Sequence, residues 1–193
     1  MVELGPAAKQ MAGLIEGVPD DLLHAPTPCL EYTLGDLVDH IRRLTIAFTA
    51  AARKDTADMT TGRAPGDAQS LGDDWRTRIP RDLSALAEAW QEPAAWTGMT
   101  MAGGIDLPGE LAGIIALDEL VVHGWDVARA SGQDYDQDRD SLEAVYAFVK
   151  QFSSAGEEAR EGMFGPEVVV PDDAPLLDRL LGLTGRDPAW SPT

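Results

Sequence analysis

The chain has 193 residues, 44% hydrophobic and 25% charged, the proportions of one ordinary globular domain with its own core. Its 15 Lys+Arg against 33 Asp+Glu give a formal net charge of −18, which argues against the basic face that a nucleic-acid binder or an anionic-membrane binder needs. No stretch approaches the roughly 18 apolar residues of a bilayer span. The opening MVELGPAAKQ has no secretory pattern. The single cysteine, Cys29, cannot form an internal disulfide or a Cys-rich zinc site, so the cytoplasm is the expected compartment.

A first helix is expected over about residues 4–17, ending near Gly17 and Pro19. Residues 18–33, broken by Pro19, Pro26 and Pro28, read as a loop. Thr33 followed by Asp36 approximates a capping box. From there Leu37, Ile41, Leu44, Ala47 and Phe48 repeat at helical spacing to about Arg53. The polar stretch 54–69 is expected to be an exposed loop. A third helix is expected from about Ser70 to Trp90, kinked or divided at Pro80. Residues 93–106 are glycine-rich and read as irregular. Asp106 is the expected cap of a fourth helix, with Pro108 in its first turn and Ser131-Gly132 as its stop. Asp140 and Glu143 suggest the start of a fifth helix. Beyond residue 155, Val168-Val169-Val170 is too short to support a sheet, and a brief helix covers about 174–184. The fold class is all-α: an up-and-down four-helix bundle over 1–155, with an extra helix, and 156–193 as a short C-terminal extension packed on it.

Candidate chemistry gathers on two of these helices. Glu119 precedes His123 by four residues, which puts both on one face of the fourth helix, where one ion can touch both. His40 lies on the side of the second helix that also carries Leu37, Leu44 and Phe48. If both stripes face inward, a carboxylate and two imidazoles converge as a three-ligand set for Zn²⁺, Ni²⁺ or Fe²⁺, leaving a position open for water or substrate. The bland alternative is a solvated ion pair at 119/123 and a hydrogen-bonded core histidine at 40. Leu117, Leu120, Val121 and Val122 flank the pair, so the helix is apolar almost all round, and buried charges normally have a partner or a metal.

Other polar residues have competing roles. Asp36, four residues before His40, is a fourth ligand, a partner orienting the imidazole, or simply a helix-start residue. Asp118 is a reserve ligand, Asp126 can orient His123, and Trp125 reads as core. Cys29 has no neighbouring cation in sequence except His24 and reads as a packing residue; His24 reads as a solvated loop histidine. The acids from Asp134 to Asp140 fail as a calcium loop, because Arg139 stands where the turn glycine belongs and Val145 where the bidentate glutamate belongs.

Two segments, PTPCLEYTLGDLVDHI (26–41) and ALDELVVHGWDVARASG (116–132), resemble the signature regions of the DinB/YfiT-like metal-binding superfamily. The similarity is to the actinobacterial branch related to the N-terminal domain of mycothiol-dependent maleylpyruvate isomerase, and LLGLTGRDPAW (180–190) also resembles that branch. The resemblance implies a four-helix bundle holding zinc or nickel through a His, then a Glu and a His four apart, which match His40, Glu119 and His123. It further implies an enzyme that presents a low-molecular-weight thiol such as mycothiol, as thiolate, to a small electrophile for transfer or isomerisation. The isomerase itself carries a further α/β domain where this sequence has residues 156–193, and Tyr32 stands where the branch commonly has Trp. A non-catalytic metal-binding bundle and an acidic interaction module remain the alternatives.

Overall fold

The computed structural model describes residues 1–55, 65–155 and 163–192. Helix α1 spans Gly5–Gly17 and buries Ala7, Ala8, Met11, Leu14 and Ile15. Helix α2 spans Leu34–Arg53 and opens on the expected capping box: Thr33 Oγ1 accepts from the Asp36 amide, and the Asp36 carboxylate accepts from the Thr33 amide. Helix α3 spans Trp75–Ala89, shorter than its periodicity suggests. Ala68–Ser70 instead forms a separate 3₁₀ turn, capped by the Asp67 side chain, and leaves the buried Leu71 in the link. Pro80 does not divide α3, because in the second turn it deprives only the Arg76 carbonyl of a donor.

The glycine-rich stretch is more regular than its composition suggests. Met99–Ala102 (β1) and Ile105–Pro108 (β2) pair antiparallel, the only strands among the described residues. Gly103 and Gly104 sit at φ 58° and 79°, the pair of positive values that a tight two-residue hairpin turn requires. Asp106 is therefore a strand residue paired with Met101, and Pro108 takes the cap position of helix α4, Gly109–Ser131. Gly132, at φ 73°, stops that helix where expected. Helix α5 spans Arg139–Ala155. Asp138, not Asp140, caps it by accepting from the Ser141 amide at 2.9 Å. Helix α6 spans Leu176–Leu183, and the Val168 amide donates to the Gly182 carbonyl instead of joining a sheet.

The all-α architecture matches the expectation. Helices α1 and α2 each pack against both α3 and α4, so the order around the bundle is α1–α3–α2–α4, and α1 faces α2 diagonally. Helix α5 covers a further side of α4, and α6 covers α5. Surrounded in this way, α4 buries residues on every face. One corner is tightly locked: Trp96 Nε1 donates to the Trp90 carbonyl, and Trp90 Nε1 donates to the Phe48 carbonyl. Their rings press on Gly113, where a Cβ would lie 2.5 Å from Trp96. No described helix is long and apolar enough to cross a membrane.

Candidate metal centre

Helix α2 turns Leu37, Val38 and Ile41 into the core, and this carries His40 inward to 3% exposure. Glu119 and His123 stand one turn apart on the face of α4 that packs on α2. Glu119 Oε2 lies 3.1 Å from His123 Nε2 and 3.9 Å from His40 Nε2. The three donor atoms all lie within 4.8 Å of one another, and the two imidazoles meet edge to face with centroids 5.2 Å apart. Tetrahedral zinc with bonds near 2.05 Å sets its ligand atoms about 3.3 Å apart. Small side-chain adjustments close the observed set to that spacing, so these donors fit a divalent ion.

The far nitrogen of each ring has its own partner. His123 Nδ1 lies 2.9 Å from Asp126 Oδ2. His40 Nδ1 lies 3.4 Å from the Tyr32 hydroxyl, and the Tyr32 ring stacks on His40 with centroids 4.9 Å apart. Each ring turns Nε2 toward Glu119, and the tautomer that carries its proton on Nδ1 is the one that would leave Nε2 to ligate an ion. Tyr32 thus does more than pack, a role its loop position in the sequence did not reveal.

The charges are strongly coupled. Burial works against the Glu119 carboxylate, but hydrogen bonds and charge from His123 and His40 outweigh it and hold its pKa well below the usual range. Burial likewise opposes charge on His123, yet Asp126 and Glu119 raise its pKa to about 9. Against the same cost of burial, Arg186 and His123 hold Asp126 ionised. Asp118, one residue before Glu119, stays outside the donor set. Its Oδ1 is buried without a hydrogen-bond partner, and burial, with Glu119 adding repulsion, pushes its pKa up to about 8.

Residues 4–128 match the family model of the mycothiol maleylpyruvate isomerase N-terminal domain. The chain belongs to that family. Two uncharacterized proteins of Mycobacterium tuberculosis, one each from strains CDC 1551 and H37Rv, are 27% identical over 188 residues, covering 93% of both chains in each case. No solved structure matches. His40, Glu119, His123 and Asp126 all lie within the family's matched residues, whereas Arg186 lies beyond them.

The remaining candidates separate cleanly. Asp36 is occupied at the helix start: besides Thr33, it accepts from the Ala68 amide at 2.9 Å, tying the 65–70 segment to α2. His24 is exposed. Cys29 has charged neighbours that the sequence concealed: Arg186 favours its thiolate and Asp126 opposes it, and both, with His123, approach from distant segments. Its Sγ forms a second donor trio with His123 and Asp126 within 4.8 Å. That trio is the poorer site: burial lifts the Cys29 thiol to about 11 despite Arg186, and Arg186 already engages Asp126.

The first trio reaches solvent through one of its members. Glu119 is 18% exposed against 4% for the His40 side chain and 9% for that of His123, so the way in passes over the carboxylate. A narrow apolar notch adjoins it, lined by Ile41, Leu44, Phe48, Leu86, Ala116 and Leu120. At about 10 Å³ it has room for one water.

Proposed function

We propose that this chain is a divalent-metal-dependent enzyme that uses a low-molecular-weight thiol of the mycothiol type for transfer or isomerisation on a small electrophile. The observation that carries the reading is the convergence of two Nε2 atoms and one carboxylate oxygen, each imidazole braced at Nδ1, beside a partly exposed Glu119 edge. His40, Glu119 and His123 would hold the ion, Zn²⁺ or Ni²⁺. When bound, the ion supplies a residual charge near +1 that draws an anionic ligand and keeps a thiol as thiolate at neutral pH.

The protein's own residues do the rest. With the ion bound, Asp126 would accept the His123 Nδ1–H and Tyr32 Oη the His40 Nδ1–H, so that both rings would serve as neutral ligands of fixed orientation. The apolar notch beside Glu119 limits water at the open side. Membership of the family named for mycothiol maleylpyruvate isomerase supports the thiol assignment. The cytoplasm is the compartment that suits such a reduced thiol, and the partners are the thiol and the electrophile, with no nucleic acid or membrane.

Elemental analysis of protein purified without a chelating tag tests the reading. The expected result is about one zinc or nickel per chain, lost in His40→Ala, with thiol titration shifted to lower pH only in the loaded protein. Absence of metal after incubation with Zn²⁺ or Ni²⁺ would refute it.

A further inference from the structure

The family's matched residues end at 128, yet the hydrogen-bonded chain behind the metal centre runs on to position 186. Arg186 Nη2 donates to Asp126 Oδ2 at 3.0 Å, and Nε lies 3.4 Å from Oδ1. The same Oδ2 accepts from His123 Nδ1, whose Nε2 faces Glu119. Asp126 is fully buried and the Arg186 side chain is 11% exposed, so this pair is largely desolvated and its geometry is stiff.

The turn that delivers Arg186 is equally fixed. Helix α6 ends in a Schellman motif: the Arg186 amide donates to the Leu181 carbonyl and the Gly185 amide to the Gly182 carbonyl, with Gly185 at φ 83°. Gly185 also lies too close to Gly165 and Pro166 for a Cβ, which would meet three backbone atoms within 2.9 Å. Arg186 Nη1 is held as well, donating to the Thr184 carbonyl at 2.9 Å. The guanidinium is therefore presented to α4 by a rigid cap, not by a wandering tail.

We propose that Arg186 is a positioning residue of the metal centre, fixing His123 through Asp126, so that the affinity of the site depends on the segment after α6. The proposal rests on the metal-binding reading above. Without Arg186, Asp126 keeps only the imidazole as a side-chain hydrogen-bond partner among the described residues, and neither group has a fixed orientation relative to Glu119.

The test uses full-length, metal-stripped protein and Zn²⁺ in competition with a chromophoric chelator, with Co²⁺ absorption as a report of ligand geometry. Arg186→Met should weaken Zn²⁺ binding about 10–100-fold and alter the Co²⁺ spectrum. Arg186→Lys, which returns charge without the two-pronged geometry, should recover part of the loss. Arg129→Met is the control, since Arg129 tethers the same segment by donating to the Trp190 carbonyl and makes no ion pair with Asp126 or Glu119 among the described residues. It should bind within about twofold of the parent, because the cap of α6 and the Thr184 carbonyl, not the Trp190 tether, fix the Arg186 guanidinium. In an Asp126→Asn background, Arg186→Met should add no further loss.

A metal-independent reading accompanies these: the downfield proton signal of the His123 Nδ1–H···Asp126 bond, present in the parent, should shift or vanish in Arg186→Met and return in Arg186→Lys. Parent-like affinity and an unchanged His123 signal in Arg186→Met would overturn the proposal, as would an equal loss of affinity in Arg129→Met. If the parent itself binds no metal, the metal-binding reading fails while the proton signal still decides whether Arg186 positions His123.

Discussion

Replacing Asp118 with Asn should stabilise the metal-free protein, and the gain should grow with pH. Asp118 is 7% exposed, its Oδ1 has no hydrogen-bond partner, and its pKa is raised from 3.8 to about 8. Burial is the largest cause and repulsion from Glu119 the next, only partly offset by Arg186 and His123. Between pH 4 and 8 the folded chain holds a proton at this site that the unfolded chain releases. Stability therefore falls as pH rises through that window, by up to about 1.4 kcal/mol per unit. Asn carries no such loss. The difference between variant and parent should be near zero at pH 4, about 4 kcal/mol at pH 7, and level above pH 8. Water entry lowers these figures, so the decisive quantity is the slope. Urea unfolding of both proteins, stripped of metal, from pH 4.5 to 9 measures it directly. A difference that stays flat with pH, or that favours Asp at alkaline pH, would refute the assignment of Asp118 as a buried, poorly compensated acid.

Three further perturbations probe other parts of the structure. The raised pKa of His123, about 9, means that an ion must displace its proton over most of the neutral range. Apparent Zn²⁺ affinity should therefore rise about tenfold per pH unit between 6.5 and 9, and a flat profile by chelator competition would exclude His123 as a ligand. The same shift stabilises the metal-free fold fully below about pH 6.5, and this contribution is lost as pH rises through about 9. Asp36→Asn removes charge at the capping box and should cost up to about 1 kcal/mol in urea unfolding, with metal affinity unchanged; a drop in affinity would assign Asp36 to the metal centre. Gly113→Ala drives a methyl into Trp96 and Trp90 and should cost about 1–3 kcal/mol, read as a lowered thermal midpoint.

What could be read from the sequence follows the range of the interactions. The α2 capping box needs only Thr33 and Asp36, three residues apart, and the Glu119–His123 pair needs one helical turn, so both are visible locally. The hairpin was also locally encoded, in Gly103-Gly104, but its strands carry Met99, Thr100, Met101 and Ala102 and lack the β-branched, alternating pattern that marks a strand. Arg186 and Cys29 were not legible, because their contacts with Asp126 and His123 join segments far apart in the chain and follow no helical period. Helix α4 shows why such contacts matter most where periodicity is weakest. Packed against α1, α2 and α5, it buries residues on every face, so its pattern does not mark which side points inward, yet it carries Asp118, Glu119, His123 and Asp126. In that setting every charge needs a partner supplied from elsewhere in the fold. Glu119 finds the two imidazoles and Asp126 finds Arg186, while Asp118 Oδ1 finds none. Polar residues on a helix packed on several sides thus mark a candidate centre in the sequence, but their pairing is decided by which distant segment folds back onto them.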